Sequence, residues 1–443
     1  MLSRRLLVSA ASAIAAGALT LSLGVIEAQA KPILMLTLTR QYQQQTRYFR
    51  AHEPGFLQPP PVPCPENGML PATPVTGPCG IGELPATGLP FLGNMAYYGG
   101  SVQVHPRVYL VYWGWGEKGA FPSTDKCRPE QIREGKLSAT LPCDPDGAGR
   151  YTANWVYQLG DTQWAGVASQ YYETTLGADG KPFDQYIDTS DPHWLKGIWV
   201  DDRDSIVGIG KTSASAPAGP QNTYTDLAAE AARAIKHFEA SGELTKAELP
   251  DANIVVFQPE DYSDPNAIST GYCAFHDWVA PGFEGGIYDP QYTGGIEDFA
   301  YTNLPYLLAI NSGGVNLCGE YAVNPPPQGK LDGFSIALGH EIIETITDPG
   351  AEDVSGSGLT VRYLGGWYDT IDADEIGDKC AWVGENPLTA QEPVLPIPGA
   401  MGDIKGNGGE TFAVQSLWSN QAAEGLGYCA GAGTDLPQPL PAQ

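Results

Sequence analysis

The residues with the clearest chemical potential lie in Ala337–Gly350, which reads ALGHEIIETITDPG. On a helix, residues four apart share a face, so His340 and Glu344 can converge on one cation. Glu341, turned about 100° further round, can then reach a water beside it. Two ligands one turn apart with a carboxylate base between them is the mechanical content of the H-E-x-x-H pattern of zinc hydrolases. Here Glu344 stands where that pattern has its second histidine. Zinc accepts carboxylate oxygen as well as imidazole nitrogen, and the added negative charge makes a bound water less acidic. The competing reading is an amphipathic helix with Glu341 and Glu344 in solvent and His340 in a core contact.

A third ligand is needed, and the acid-rich stretch WYDTIDADEIGDKC, Trp367–Cys380, follows closely. Glu375 is the first choice and Asp378 the second. A carboxylate followed within one turn by another acid resembles the glutamate-type zincins, in which the first acid binds metal and the second steadies a ligand histidine. His276, in Tyr272–His276 (YCAFH), is a further ligand or a donor to the transition state, with Tyr368 as an alternative donor. The catalytic candidates are therefore Glu341 and His276, and the metal candidates His340, Glu344, Glu375 and Asp378. Zinc is the expected ion. Calcium is the alternative, because Asp372, Asp374 and Gly377 mimic three EF-hand positions, although Ile376 and Val383 stand where oxygen ligands are required.

These residues point to a metal-dependent hydrolase, with peptide hydrolysis the natural reaction class. A non-catalytic extracellular protein, associated with cell wall or carbohydrate and using its metal to fix the loop from Gly350 to Cys380, is the competing class. A third reading uses Glu341 and Glu344 as an acid pair without metal. Rival motifs are weaker. Gly333–Ala337 (GFSIA) approximates a nucleophile elbow around Ser335, but no strand precedes it. The run Asp201-Asp202-Arg203-Asp204 reads as a solvated turn. Trp113, Trp115, Trp367 and Trp418 can form a sugar-stacking platform, although aromatic residues beside strands more often fill cores.

Several elements must position these groups. Val108–Trp113 is a dense β-branched and aromatic run, and Ile254–Phe257 a second buried strand stopped by Pro259. Helices are expected at Thr152–Leu159 and Thr162–Tyr172. The clearest, Thr225–Ala240, carries Leu227, Ala231, Ala234, Ile235 and Phe238 on one face, with Gly242 just beyond it. Tyr306–Asn311 reads as a strand. Asp332 reads as the N-cap of a helix that runs to Thr347 and is stopped by Asp348-Pro349-Gly350. The mixture predicts an α/β or α+β domain over residues 95–432, with a zincin-like mixed sheet and an active-site helix.

Outside that domain, residues 1–30 carry Arg4 and Arg5, an apolar run and Ala28-Gln29-Ala30, the pattern of a cleaved signal peptide, so a secreted protein with no membrane attachment after cleavage is expected. Residues 31–94 form a Gln- and Pro-rich arm or propeptide-like linker, and 433–443 a Pro-rich tail. Eight cysteines suit an oxidising destination. Their spacing suggests the pairs Cys64 with Cys79, Cys127 with Cys143, Cys273 with Cys318, and Cys380 with Cys429. With 51 acidic against 24 basic residues and a net charge of -27, no basic surface for nucleic acid is expected. The expected partner is an extracellular protein or cell-wall substrate.

The order of blocks resembles the exordium, or phosphate-induced, family of secreted proteins. The matching blocks are Val108–Trp113, Tyr272–His276, Leu317-Cys318-Gly319, Gly339–Glu344, Asp374–Cys380 (DEIGDKC) and Val414–Asn420 (VQSLWSN), with Cys429 behind them. They span about residues 100 to 430. The resemblance implies an extracellular, wall-associated protein with an H-E-x-x-E helix followed by E-I-x-D-x-C, similar to a zincin site. This chain departs from the plant pattern in its arm, in the acidic inserts between Gly114 and Asn253, and in Thr347-Asp348-Pro349.

Overall fold

In a computed structural model of the chain, the described residues are 47–50, 94–115, 120–121, 144–201, 220–260, 267, 272–279, 293–312, 314–350, 352–353, 363–368, 374–381, 401–422 and 428–430. The apolar runs build one mixed sheet from β1 (Arg47–Arg50), β2 (Arg107–Trp113), β3 (Leu195–Asp201), β4 (Ala252–Phe257), β5 (Tyr272–Val279) and β6 (Phe299–Leu304). Their order across the sheet is β1-β5-β6-β4-β2-β3. β2 runs parallel to β3 and β4, and β4 parallel to β6. β5 turns the direction round, lying antiparallel to β6 on one side and to β1 on the other. β2 and β4 are buried almost without interruption, as strands covered on both faces must be.

Three helices cover the sheet: α1 (Ala148–Tyr157), α2 (Pro220–Ser241) and α3 (Asp332–Thr347). Side chains alternate along β2, so Tyr109 and Tyr112 face opposite ways. Tyr109 packs on Phe238 of α2, and the Tyr112 hydroxyl donates to the Gly149 carbonyl of α1. Phe257, which pairs with Tyr112, meets Phe334 of α3. The sheet is therefore the middle layer, with α2 on one side and α1 and α3 on the other. The hairpin Met401–Lys405/Thr411–Gln415 packs against α3, so that helix lies between it and the sheet.

α3 is buried along its whole length. The amphipathic reading therefore fails: Glu341 and Glu344 are 0% and 1% exposed. The helix begins after a tight turn, Gln328–Leu331. Asp332 is its first residue and does not cap it; its carboxylate accepts the amides of Val323 and Asn324 and braces the preceding loop. A methyl on Gly333 would sit 1.8 Å from the Cys318 carbonyl oxygen, so only glycine allows this close approach. Cys318 is in turn bridged to Cys273 of β5, and Cys380 to Cys429. Cys64, Cys79, Cys127 and Cys143 lie outside the described residues, as do the signal-peptide segment 1–30 and the tail 433–443.

Other expectations change. Tyr306–Asn311 is not a continuous strand: Leu307–Ala309 forms a short 3-10 turn and only Asn311 pairs, with Asn316. The Thr162–Tyr172 helix shrinks to a 3-10 turn, Ala165–Gln170. β3, β5 and β6 come from segments with no clear strand signal, and in β6 the polar Thr302 and Asn303 are fully buried. The Thr302 hydroxyl donates to Asn253 Oδ1 of the neighbouring strand at 3.0 Å, which satisfies those two atoms inside the sheet, while Asn253 Nδ2 has no hydrogen-bond partner. Among the described residues no helix is long and apolar enough to cross a membrane.

Candidate metal centre

Three elements converge below the hairpin. α3 presents His340, Glu341 and Glu344 within just over one turn. β5, which packs on α3, contributes His276, and the turn 374–381 contributes Glu375 and Asp378. All but Asp378 are buried.

The Glu344 carboxylate stands at the middle. Its Oε2 lies 3.0 Å from His340 Nε2 and 3.7 Å from His276 Nδ1, while its Oε1 accepts the Asp378 amide at 2.8 Å. Asp378 Oδ1 is 3.6 Å from His340 Nε2. Glu341 Oε2 is 3.0 Å from His276 Nδ1, and Glu375 Oε1 is 3.7 Å from His276 Nε2. Two sets of donor atoms have the mutual spacing to hold a cation: His340, Glu344 and Asp378, with every atom within 4.8 Å of the others, and His276, Glu341 and Glu344 on the same measure. Of the two acids in the downstream turn, Asp378 joins the ligand set of His340, whereas Glu375, the first choice from sequence, stands beside His276.

Electrostatics reflects this crowding. Burial alone pushes His276 down, but Glu341, Glu344 and Asp348 reverse it and raise its pKa to about 9. His340 follows the same course: burial lowers it, then Glu344, Glu341 and Asp378 raise it to about 9. Burial first, then Asp378, lifts Glu344 to about 7 against the pull of His340. Without a cation the cluster thus retains protons that these side chains ordinarily give up, because buried carboxylates must be neutralised by something. Among the cluster's oxygens, Glu341 Oε1 is buried and has no hydrogen-bond partner.

Two supporting residues, Gln415 and Gly377, are not expected in this role from sequence. Gln415 Oε1 lies 3.3 Å from His340 Nδ1, and the amide nitrogen of Gln415 donates to the Gly377 carbonyl at 2.9 Å. When Nδ1 carries the proton, Nε2 is left as the donor atom facing Glu344 and Asp378, the usual second-sphere arrangement of a ligand histidine. A Cβ on Gly377 would fall 2.6 Å from His340 Nδ1 and 2.8 Å from Glu344 Oε1. Gly377 has ordinary right-handed helical geometry, so space alone requires glycine there. Strand alternation could have placed Gln415 on the α3 side, but nothing in its type announces a role.

The rival sites become structural. Ser335 Oγ is buried in the helix start, bonded to the Ala413 and Asp332 carbonyls and to the Tyr151 hydroxyl. Trp113, Trp115, Trp367 and Trp418 are all buried, so they form no sugar platform. Trp115, for example, packs among Tyr112, Phe121 and Phe257. Tyr368 stacks on Tyr98 at 3.7 Å between ring centres. Asp201 is not in a solvated turn but is buried at the end of β3, 3.9 Å from Arg233. Asp202, Arg203, Asp204, Asp372 and Val383 lie outside the described residues, whereas Asp374 is buried in the downstream turn. Compared with protein-family models, curated proteins and solved structures, the chain matches none.

Proposed function

We propose that the chain is a secreted, metal-dependent hydrolase of the peptidase type, with a zincin-like α3 and a single ion held by His340, Glu344 and Asp378. The observation that carries this reading is the mutual spacing of that donor set, with His340 and Glu344 buried, beside Glu341, whose Oε1 is buried without a hydrogen-bond partner. One imidazole nitrogen with two carboxylate oxygens is a donor set suited to zinc, and hard enough to accept calcium more weakly. Three protein ligands leave a position for water or substrate. When bound, the ion polarises a substrate carbonyl and makes its water more acidic.

The protein's own groups divide the remaining work. Glu341 is one residue round the helix from His340, and its free Oε1 accepts the proton of the attacking water. Its Oε2 is held by His276, which fixes the carboxylate's orientation. In the metal-free protein burial is outweighed by Glu341, Glu344 and Asp348, which raise the His276 pKa to about 9, and its Nδ1 lies 3.0 Å from Glu341 Oε2. The protonated imidazole can donate to a developing oxyanion, and such a donor typically contributes about a hundredfold or more in rate. The leader-like residues 1–30, the two disulfides among the described residues and the order of blocks similar to exordium proteins support an extracellular setting.

Glu341→Gln separates this reading from a non-catalytic protein with a structural metal. The variant keeps its zinc and loses about a hundredfold or more of peptide turnover. Zinc retention with no turnover in the wild type, tested on a mixed peptide library, would support the binding protein instead.

A further inference from the structure

Glu344 belongs to two ligand sets, and only one of them is used above. The second consists of His276 Nδ1 from β5 with Glu341 and Glu344 from α3, all buried. Glu341 and Glu344 lie 3.0 and 3.7 Å from that nitrogen. Independently of this spacing, Glu341 Oε1 is buried with no hydrogen-bond partner, a carboxylate oxygen that lacks the positive charge or donor such an atom requires. Glu375 Oε1 flanks the same imidazole at 3.7 Å on its other nitrogen.

Charge favours a second ion. Glu341, Glu344, Glu375 and Asp378 would together carry four negative charges when ionised, whereas one divalent ion supplies two and a protonated His276 one, which a second ion at that nitrogen would replace with two. Lys379, the neighbouring cation, points its ammonium over the Trp418 ring at 4.5 Å. A pair of divalent ions sharing one carboxylate, about 3.5–4 Å apart, is an established arrangement in proteins. The second ion would bind more weakly, because it enters beside the charge of the first and shares Glu344 with it.

We propose that His276, Glu341 and Glu344 form a second divalent-cation subsite, bridged to the first through Glu344, whose filling withdraws Glu341 and His276 from catalysis. This inference rests on the hydrolase reading for its consequence, but the binding itself does not. An excess of zinc therefore suppresses turnover that the first equivalent creates.

The test is equilibrium dialysis of the full mature chain against rising free Zn2+, with metal counted by plasma mass spectrometry. The wild type is expected to hold one ion at low zinc and two at saturation. His276→Gln is expected to saturate at one. A parallel titration of the wild type with Co2+ needs no substitution: the second equivalent should quench the paramagnetic signal of the first through the shared carboxylate. Wild-type saturation at one ion, or two ions in both proteins, overturns the second subsite and leaves the first in place. No bound metal at any concentration overturns both. Two ions with turnover undiminished overturns the inhibitory role.

Discussion

Gly377→Ala tests the geometry of the centre without touching a ligand. The added methyl would lie 2.6 Å from His340 Nδ1 and 2.8 Å from Glu344 Oε1. Comfortable contact begins at about 3.5 Å, so each group must retreat by roughly 1 Å. A metal site tolerates only about 0.2 Å in its ligand distances. The methyl also crowds the bonds that orient the two ligands, from Gln415 to His340 and from the Asp378 amide to Glu344. Overpacking of this kind costs about 1–3 kcal/mol, which in a dissociation constant is about 5- to 150-fold. The assay is competition for zinc against a chromophoric chelator, read beside the melting temperature of the metal-free protein. Affinity should fall by that factor while metal-free melting drops by no more than a few degrees. A variant that binds zinc within twofold of the wild type would show that the turn 374–381 does not shape the site.

Other outcomes follow from the same contacts. Gln415→Leu removes the acceptor for His340 Nδ1 and should weaken zinc binding by about 10- to 100-fold in the same competition assay. Replacing Cys380 and Cys429 together by serine opens a bridge between residues 49 apart. The chain-entropy cost is about 4 kcal/mol, measurable by urea unfolding. It should also weaken metal binding, whereas loss of the Cys273–Cys318 bridge, which ties β5 to the loop packed on the start of α3, should affect stability more than the Asp378 ligand. The metal-free protein should become less stable as pH rises. His276 and His340 have folded pKa values raised from 6.5 to about 9, so their contribution is complete below pH 6.5 and is lost as pH rises through 9. Glu344, raised from 4.5 to about 7, adds loss in the same direction from about pH 4.5 upward. Melting curves between pH 5 and 9 check this, and melting that rises steadily over that range in chelator would contradict it. Zinc affinity should move the opposite way, rising by up to about a decade per pH unit for each proton displaced.

The helix that carries the chemistry was legible because its signal is local. His340, Glu341 and Glu344 follow from helical spacing, and Asp348-Pro349-Gly350 ends the helix where proline geometry requires. What spacing cannot show is which acid of a short turn joins the donor set of His340. Glu375 and Asp378 are three residues apart, and their places depend on how the Cys380 bridge and Gln415 hold the turn. The strands divide in the same way. β2 and β4 are uninterrupted apolar runs and read directly, whereas β5 and β6 carry His276, Asp277, Thr302 and Asn303 inside them. Those polar residues are accommodated by tertiary partners such as Asn253 and Glu341, which no local pattern reveals. The tryptophans show the converse. Their types allow a binding platform, and only the sheet and its helices show that they are core.

The central claim is that α3 holds a metal ion. The measurement that tests it most directly is the transition-metal content of the purified protein after dialysis, compared with its His340→Ala variant. About one zinc per chain in the wild type and essentially none in the variant is the predicted result. A wild-type protein that is folded, carries the Cys273–Cys318 and Cys380–Cys429 bridges and takes up no zinc on titration would contradict it.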